Sequence, residues 1–357
     1  MSASDRDSGW IGTSVDPTAT PRAETPRWTV RGVALGDISA AGSALVWTGV
    51  SLAELFTPVE QALALAPLVL VPLGARMAAR PRFRGLADRA HAAATLCQPV
   101  GALLVTLSLV VESGVGAAAL AAPWVVVTAL FGLAGLARFR DRLLAASGDG
   151  TDDGSSVLRA LLVPETLIDA GLGYATVGSV ALVLWHLGAT FRFEPVIMLL
   201  TAVHFHYAGF VLPVFMGLAG RCIGPAGDRV YRPLAGVVLV GPAFIAVGIS
   251  FSPLVEIAAV GAFTTAVAAL GGYVALRVAA GRPRFQRFLV RVAALALPVS
   301  MAMALGYGVG AFTGNPPLGL TLDTMVALHG SLNAYGFGFF GVAGWRLSVP
   351  VGPGRVE

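Results

Sequence analysis

The feature of this sequence that most constrains its fold is a succession of apolar runs, each about 20 residues long. A helical run of that length matches the hydrocarbon thickness of a bilayer. Hydrophobic residues make up 56% of the chain and charged residues only 12%, which is about half the charged fraction of a typical soluble domain. The sequence therefore predicts an all-α, polytopic transmembrane helix bundle.

We predict about ten membrane spans, forming one helical domain between two polar tails. Residues 1–30 are rich in Ser, Asp, Thr and Pro and lack an apolar segment, so they are predicted to be a disordered cytoplasmic tail and not a signal peptide. The transmembrane domain is predicted over 31–348, and a short cytoplasmic tail over 349–357. The predicted spans are approximately 33–53, 56–77, 92–111, 116–137, 161–187, 195–219, 234–251, 253–276, a ninth that ends near 312, and 323–347.

Arginines cluster on alternate loops of this arrangement. The loops after the second, fourth, sixth and eighth spans contain the clusters, whereas the loops on the opposite side contain only Arg192. Because positively charged loops are retained in the cytoplasm, both termini are predicted to be cytoplasmic. The net charge of +4 comes from these short loops and does not indicate nucleic-acid binding.

The loops contain no recognisable soluble catalytic motif. They lack a P-loop, a dinucleotide-binding fingerprint and a nucleophile elbow. The two cysteines, Cys97 and Cys222, are too few and too far apart for a disulfide framework or a thiolate metal site. Any chemistry is therefore expected within the membrane or at its edge, and no cofactor or metal is predicted.

Two histidines, His204 and His206, lie in the middle of the sixth predicted span. With Pro195 at the outer surface, they would lie roughly 14–17 Å deep at the rise of an α-helix. A polar side chain at that depth needs a partner, because no water is available there, and it is a functional-site hypothesis by default. Residues two apart point in nearly opposite directions, so the two rings are expected to face different neighbours.

Two other pairs of polar residues are predicted to lie at compatible depths. Glu165 and Asp169 are four residues apart on the fifth span, with Asp169 about 12 Å from the cytoplasmic side. His329 and Asn333 are four apart on the tenth span, about 9 and 15 Å from the outer side. We expect Asp169, one histidine of the sixth span and Asn333 to line one cavity. The alternative is that these side chains only join helices by hydrogen bonds.

Several segments resemble a known family of bacterial membrane proteins. The run from Leu200 to Phe210, with the sequence LTAVHFHYAGF, is similar to a recurring segment of the YndJ-like family. The segments Ile168–Gly171 and His329–Gly336 also resemble that family. The resemblance covers roughly the second half of the chain. It implies a polytopic protein of the bacterial inner membrane and little about chemistry.

A shorter resemblance is to haem-copper oxidase subunit I, in which a similar His-Phe-His-Tyr helix supplies axial ligands to two haems. The match is limited to residues 204–207. Such a site takes histidines from several helices, and this chain has five histidines, of which three are predicted to lie deep in the membrane. The likeness keeps haem binding as an alternative.

The first functional hypothesis is a membrane-embedded enzyme that uses acid–base chemistry on a lipophilic small molecule. A carboxyl group in apolar surroundings resists ionisation, so Asp169 could stay protonated and donate its proton to an alkene or epoxide. Histidine would be its partner, and aromatic faces would stabilise a carbocation. The best-matching reaction is an isoprenoid or terpenoid cyclisation or isomerisation. The predicted catalytic residues are Glu165, Asp169, His204, His206, His329 and Asn333, and the predicted substrate-binding residues are Trp185, Tyr207, Phe210 and Tyr335.

Two other functions remain open from the sequence. The first is a haem- or metal-binding redox protein in which His204 or His206, together with His329, supplies the ligands. The second is a proton-coupled transporter, because buried Asp and His residues suit a proton relay. The partners common to these hypotheses are the lipid bilayer and a small molecule or ion.

Overall fold

A computed structural model describes residues 28–148, 161, 163–315 and 319–352. A two-stranded antiparallel hairpin, Thr29–Val30 with Val33–Ala34, precedes the first helix. Its turn residues, Arg31 and Gly32, both have positive φ, as a two-residue hairpin turn requires. The helical segments that follow are α1 (Leu35–Leu52), α2 (Pro58–Ala78), α3 (Gly85–Ser108), α4 (Val115–Gly148), α5 (Pro164–His186), α6 (Pro195–Gly220), α7 (Pro225–Phe251), α8 (Pro253–Gly281), α9 (Arg284–Thr313) and α10 (322–347).

Proline marks the start of five of these helices. Proline is favoured in the first helical turn, because the backbone N–H that it lacks would have no partner there. The α2 start has a capping box as well, in which Thr57 and Glu60 satisfy each other's backbone N–H groups. At its C-terminal end, α9 is terminated by Gly314 in a left-handed conformation. The helices that begin with proline are α2, α5, α6, α7 and α8.

The second helix lies at the centre of the bundle and contacts α1, α3, α6 and α10. In its most apolar stretch 83% of the residues are buried, compared with 28–56% in the other candidate spans. A helix that is apolar on all sides is typical of such a central position. The π-helical turn Ala66–Leu70 precedes Pro72 in this helix, and proline cannot donate the regular helical hydrogen bond.

Two further helices near the centre also contain π-helical turns. In α6 the turn is Tyr207–Val211, directly before Pro213. In α10 the π-helical segments are Met325–Gly330 and Leu332–Phe339. These segments pack together, since a Cβ on Gly338 would lie 2.9 Å from the Tyr207 ring and 3.2 Å from Leu70. Such turns widen a helix locally and often occur at functional sites.

The prediction of an all-α polytopic bundle is confirmed. Within the described ranges, eight helices are long and apolar enough to cross a membrane; α1 and the interrupted α10 are the two others. One prediction about the loops was wrong: Arg138, Arg140 and Arg142 lie on a continuation of α4 and not in a loop. Below, the helix ends on the arginine-rich side are called inner ends, and their cytoplasmic location remains a prediction.

The inner half of α4 packs closely against α5, and this contact gives a stability prediction. A Cβ on Gly135 would lie 2.5 Å from the backbone oxygen of Asp169 and 3.2 Å from its Cα. Backbone atoms cannot rotate away as a side chain can, so Gly135→Ala must push the two helices apart. We expect the purified variant to lose about 1–3 kcal/mol of stability, measured by thermal denaturation in detergent.

The matched control for this substitution is Gly116→Ala on the same helix. A Cβ on Gly116 would meet no atom within 4 Å, so alanine should be neutral or slightly stabilising there. A Gly135→Ala protein that melts at or above the wild-type temperature would contradict the close contact between α4 and α5.

Candidate functional site

The two predicted acidic residues of α5 form a buried ion network with three arginines. Asp169 accepts from Arg138 at 2.6 Å and is 2.5 Å from Arg142, both on α4. Glu165 is paired with Arg138 and with Arg221, whose Nε lies 2.7 Å from the carboxylate. The two carboxylates are thus shared among three guanidinium groups, and the network joins the inner ends of α4, α5 and α6.

Arg221, at the end of α6, has no solvent-exposed side-chain area. Besides Glu165, it donates to the backbone oxygens of Ala78 at the end of α2 and of Pro350 after α10, each at 3.1 Å. The chain after α10 also packs here, because a Cβ on Gly352 would lie 2.7 Å from the Glu165 carboxylate. This one guanidinium therefore connects four parts of the fold.

The position of this network corrects the sequence prediction for Asp169. Histidine was expected to be its partner because no arginine was thought to reach its depth; the partners are Arg138 and Arg142. Because α5 begins at Pro164, Asp169 lies only about 7–8 Å from the helix start. Arg138 lies about 34 Å along α4, beyond the roughly 30 Å hydrocarbon thickness. The network therefore lies at the inner membrane edge.

A second ion cluster lies at the inner ends of α1, α2 and α10. Asp37 accepts two hydrogen bonds from Arg346, at 3.1 and 2.6 Å, and is also paired with Arg76. A carboxylate early in α1 is costly in a membrane unless it is paired, and two arginines satisfy it here. We assign this cluster a structural role in fastening the three helices.

His206 lies on the side of α6 that faces α4 and α5. Its ring is fully buried, its Nδ1 lies 2.7 Å from the backbone oxygen of Ala202, and Trp124 donates to its Nε2 at 2.9 Å. The ring fills the space opposite Gly178, where a Cβ would lie 2.8 Å from Nδ1. With both nitrogens satisfied by protein groups, His206 serves as a link between helices.

His204 faces the opposite side of α6 and is exposed. Its ring centroid lies 6.4 Å from that of His329 on α10. Both residues lie about 10–14 Å from the outer ends of their helices, which is close to the middle of the membrane. The prediction that His204 and His206 face different neighbours is confirmed.

The hydrogen bonds of the histidine pair all involve the Nδ1 atoms. His204 Nδ1 lies 2.7 Å from the backbone oxygen of Leu200, and a carbonyl oxygen can only accept, so this Nδ1 carries hydrogen and the neutral ring keeps a lone pair on Nε2. His329 Nδ1 lies 3.0 Å from the backbone oxygen of Ser300 and 2.9 Å from the Ser300 hydroxyl. Neither Nε2 has a hydrogen-bond partner among the described residues. The site therefore offers two free imidazole nitrogens.

Ser300 contacts the His329 ring, and Asn333 holds Ser300 in place. Ser300 Oγ, on α9, lies 2.9 Å from His329 Nδ1 and accepts a hydrogen bond from Asn333 Nδ2. The same Asn333 amide donates to the backbone oxygen of His329 at 2.8 Å. Both α10 residues lie in π-helical segments. His329, Ser300 and Asn333 thus form one ordered group facing His204. We call these four residues the outer histidine site.

The prediction that Asp169 lines one cavity with a sixth-span histidine and Asn333 was wrong. Asp169 lies nine residues before Gly178, the residue that contacts His206, so the two side chains are separated by about 13 Å along α5. Asn333 and His204 share the outer histidine site, whereas Asp169 and Glu165 belong to the inner ion network. The predicted catalytic residues therefore divide into three groups, and His206 forms the third with Trp124.

The aromatic residues predicted to bind substrate occupy different places. Tyr207 is buried and donates to the backbone oxygen of Ala62 at 2.8 Å, and Phe210 is fully buried in the core. The ring centroids of Tyr335 and Trp47 are 6.0 Å apart, and those of Trp185 and the neighbouring His186 are 4.8 Å apart. Tyr207 and Phe210 are therefore part of the core of the bundle, and the substrate-binding role of all four stays a prediction.

Sequence reasoning missed the residues that complete these three groups. Ser300 and Trp124 lie within apolar runs and have no charge to draw attention to them, and serine is common in membrane helices. The arginines were counted only as topology determinants. The position of Arg221 could have been inferred from the sequence. It directly follows Gly217-Leu-Ala-Gly220, and small residues such as these allow α6 to pack closely on α5, where Glu165 lies.

The described residues contain no group of three or more His, Cys, Asp or Glu side chains that could hold a metal ion. The outer histidine site supplies two imidazole nitrogens, fewer than the three protein ligands usual in catalytic zinc sites. The Nδ1–H group of His204 bonds to a backbone oxygen, as in many histidines that bind metals.

The fold and these contacts define a polytopic helical membrane protein with a histidine pair near mid-membrane depth and an ion network at its inner edge. Residues 61–337 match the model of the family described as YndJ-like protein, so the chain belongs to the YndJ-like family. The predicted resemblance is confirmed, and the match extends well beyond the second half of the chain.

A relative from Bacillus subtilis (strain 168), named "Uncharacterized membrane protein YndJ", is 35% identical over 156 residues. The aligned segment covers 44% of this chain and 28% of that relative. The match therefore spans less than a third of the relative's length. No solved structure matches the chain.

Proposed function

We propose that this protein is a membrane-embedded enzyme that transfers protons on a lipophilic substrate, with His204 and His329 as its catalytic residues. One observation carries this proposal: two histidines from different helices face each other near mid-membrane depth, each with a free Nε2. Polar groups at such depth are costly unless they serve a function. His206, with both nitrogens bonded, shows how a purely structural histidine is satisfied in the same helix.

The histidine pair suits a reaction that moves a proton without net gain or loss. One neutral imidazole would take a proton from the substrate on Nε2, and its Nδ1–H bond to a backbone oxygen would favour the resulting cation. The other ring, when protonated, would return a proton to a different atom of the same molecule. That sequence is an isomerisation: one C–H bond breaks, another forms, and the double bond shifts between them.

The isomerase form of the sequence hypothesis has more support than the cyclase form. Protonating an unactivated alkene needs a strong neutral acid, and Asp169 and Glu165 are both paired with arginines. The outer histidine site has apolar neighbours, including Leu328, which is 53% exposed beside His329. An exposed apolar residue next to His329, in a site that also contains exposed His204, suits a substrate that enters from the bilayer.

Deuterium exchange provides the test. The purified chain, with the lipids that co-purify with it, would be incubated in D₂O, and carbon-bound deuterium in those lipids measured by mass spectrometry. We expect the wild type to introduce deuterium at a carbon position. His329→Gln should reduce the rate about 100-fold or more, the usual contribution of a general base.

The matched control is His186→Gln, in another membrane helix. The His186 ring is buried and bonded to Ser108 at 3.1 Å, away from the outer histidine site. The folded fraction of the His186→Gln protein should introduce deuterium at carbon at the wild-type rate. Equal exchange by the His329→Gln protein, or no carbon-bound deuterium with the wild type, would overturn the proposal.

A proton-coupled transporter is the second candidate, and a different observation favours it. The inner ends of α4, α5 and α6 are fastened by ion pairs, whereas His204 in the outer half is exposed. In an alternating-access transporter, one part of the bundle moves relative to another around a site near the midplane, which is the depth of the histidine pair. Proteoliposomes with an internal pH dye separate the two functions, since only a transporter would move protons across the membrane.

A further inference from the structure

Four arginines at the inner corner between α8 and α9 differ from the other arginines of the fold. Elsewhere in the described part of the chain most inner arginines are paired with carboxylates, as in the ion network. In contrast, no ion pair with a described residue involves this corner, and the sequence contains no Asp or Glu between Glu256 and Asp323. We call this group the α8–α9 patch; it consists of Arg277, Arg284, Arg287 and Arg291.

Two of the four guanidinium groups are held in place by the backbone. Arg287 donates to the backbone oxygen of Arg282 at 3.1 Å, and Arg291 donates to that of Ala275 at 3.1 Å. Each guanidinium has five N–H donors, so both keep free donors. Arg277, Arg284 and Arg291 are exposed. The patch is therefore a set of four positive groups, two of them held in place, that form no ion pair with a described residue.

An apolar strip continues from the patch along α9. The exposed apolar residues of α9 are separated by three, seven and four residues, so they share one helix face. Phe288, which is 57% exposed, lies between Arg284 and Arg291, and Leu295, which is 52% exposed, lies one helical turn beyond Arg291 toward the membrane interior. Aromatic residues such as Phe285 and Phe288 are typical of the membrane interface. The strip consists of Phe285, Phe288, Leu295 and Val299, with Leu276 beside it on α8.

We propose that the α8–α9 patch binds the phosphate of an anionic phospholipid, whose acyl chains lie along the apolar strip. Charge complementarity favours an anion, since no described carboxylate forms an ion pair with any of the four guanidinium groups, and Asp228, at the start of the neighbouring helix, is paired with Arg232. The strip selects a lipid over free phosphate, because only a lipid carries chains that would cover Phe288 and Leu295. Basic pockets between membrane helices on the cytoplasmic side commonly hold such headgroups.

Native mass spectrometry of the detergent-purified full chain tests this site. Dioleoyl phosphatidylglycerol would be titrated against the wild type and Arg284→Gln/Arg291→Gln, with dioleoyl phosphatidylcholine and inorganic phosphate as comparison ligands. We expect the wild type to prefer phosphatidylglycerol over phosphatidylcholine. The double variant should bind phosphatidylglycerol about 30-fold more weakly, from roughly a factor of five for each arginine.

Two further variants make the result decisive. Arg284→Lys/Arg291→Lys keeps the charge and should retain most of the binding, which separates loss of charge from loss of folding. Arg89→Gln/Arg229→Gln removes the same charge from exposed arginines elsewhere and should bind as the wild type does. The site is overturned if that control loses as much binding, if phosphatidylcholine binds equally well, or if inorganic phosphate alone displaces the lipid.

Discussion

Glu165→Gln is expected to destabilise the protein by about 3–5 kcal/mol, enough to prevent its normal accumulation in the membrane. The substitution removes one of two carboxylates that serve three buried or half-buried guanidinium groups. Arg221, with no exposed side-chain area, would keep its charge and lose the one carboxylate that pairs with it among the described residues. Removing one member of a buried ion pair is costly because the remaining charge has no compensation. Thermal denaturation of the purified protein would measure the loss.

A matched control and a double variant define this prediction. Glu194→Gln removes the same charge from an exposed position at the outer start of α6 and should change stability by no more than about 0.5 kcal/mol. Glu165→Leu/Arg221→Met removes both partners and should be less destabilised than Glu165→Gln, because no buried charge is left unpaired. Equal stability of Glu165→Gln and Glu194→Gln would show that the ion network does not hold the inner helix ends together.

The helical bundle was predictable because its strongest determinant is local in sequence. Apolar runs that match the bilayer thickness specify the spans, and the alternation of arginine-rich loops specifies the orientation of each span in the membrane. Helix ends were predictable where proline begins a helix, as at Pro195 in α6. The continuation of α4 beyond residue 137 was missed, because a charged segment after a span can continue the helix or form a loop. Tertiary contacts decide between the two, here through Arg138 and Arg142.

The candidate site was predicted only in part. The sequence identified His204, His329 and Asn333, since polar residues within apolar runs are conspicuous. Their partners were not predictable, because periodicity shows which residues share a helix face but not which helix lies opposite. Trp124 and His206 are bonded although they lie 82 residues apart. The error for Asp169 was one of depth: a start near residue 161, three residues before the observed Pro164, placed it too far inside the membrane.

The two histidines of α6 should respond in opposite ways to alanine substitution. His204→Ala removes an exposed ring whose only hydrogen bond is to its own helix, so stability should change by no more than about 0.5 kcal/mol. If the ring transfers protons, deuterium exchange should fall about 100-fold or more. His206→Ala leaves a cavity and an unsatisfied N–H on buried Trp124, so stability should fall by about 2–4 kcal/mol.

Measuring melting temperature and exchange rate on the same preparations tests this contrast. The folded fraction of His206→Ala should exchange at nearly the wild-type rate, because its ring lies on the far side of α6 from His329. Added imidazole should partly restore exchange in His204→Ala, since the missing ring leaves room beside an intact His329. A protein without His204 that exchanges normally would remove that residue from the catalytic pair. If His206→Ala instead kept full stability and lost exchange, the roles of the two rings would have to be reversed.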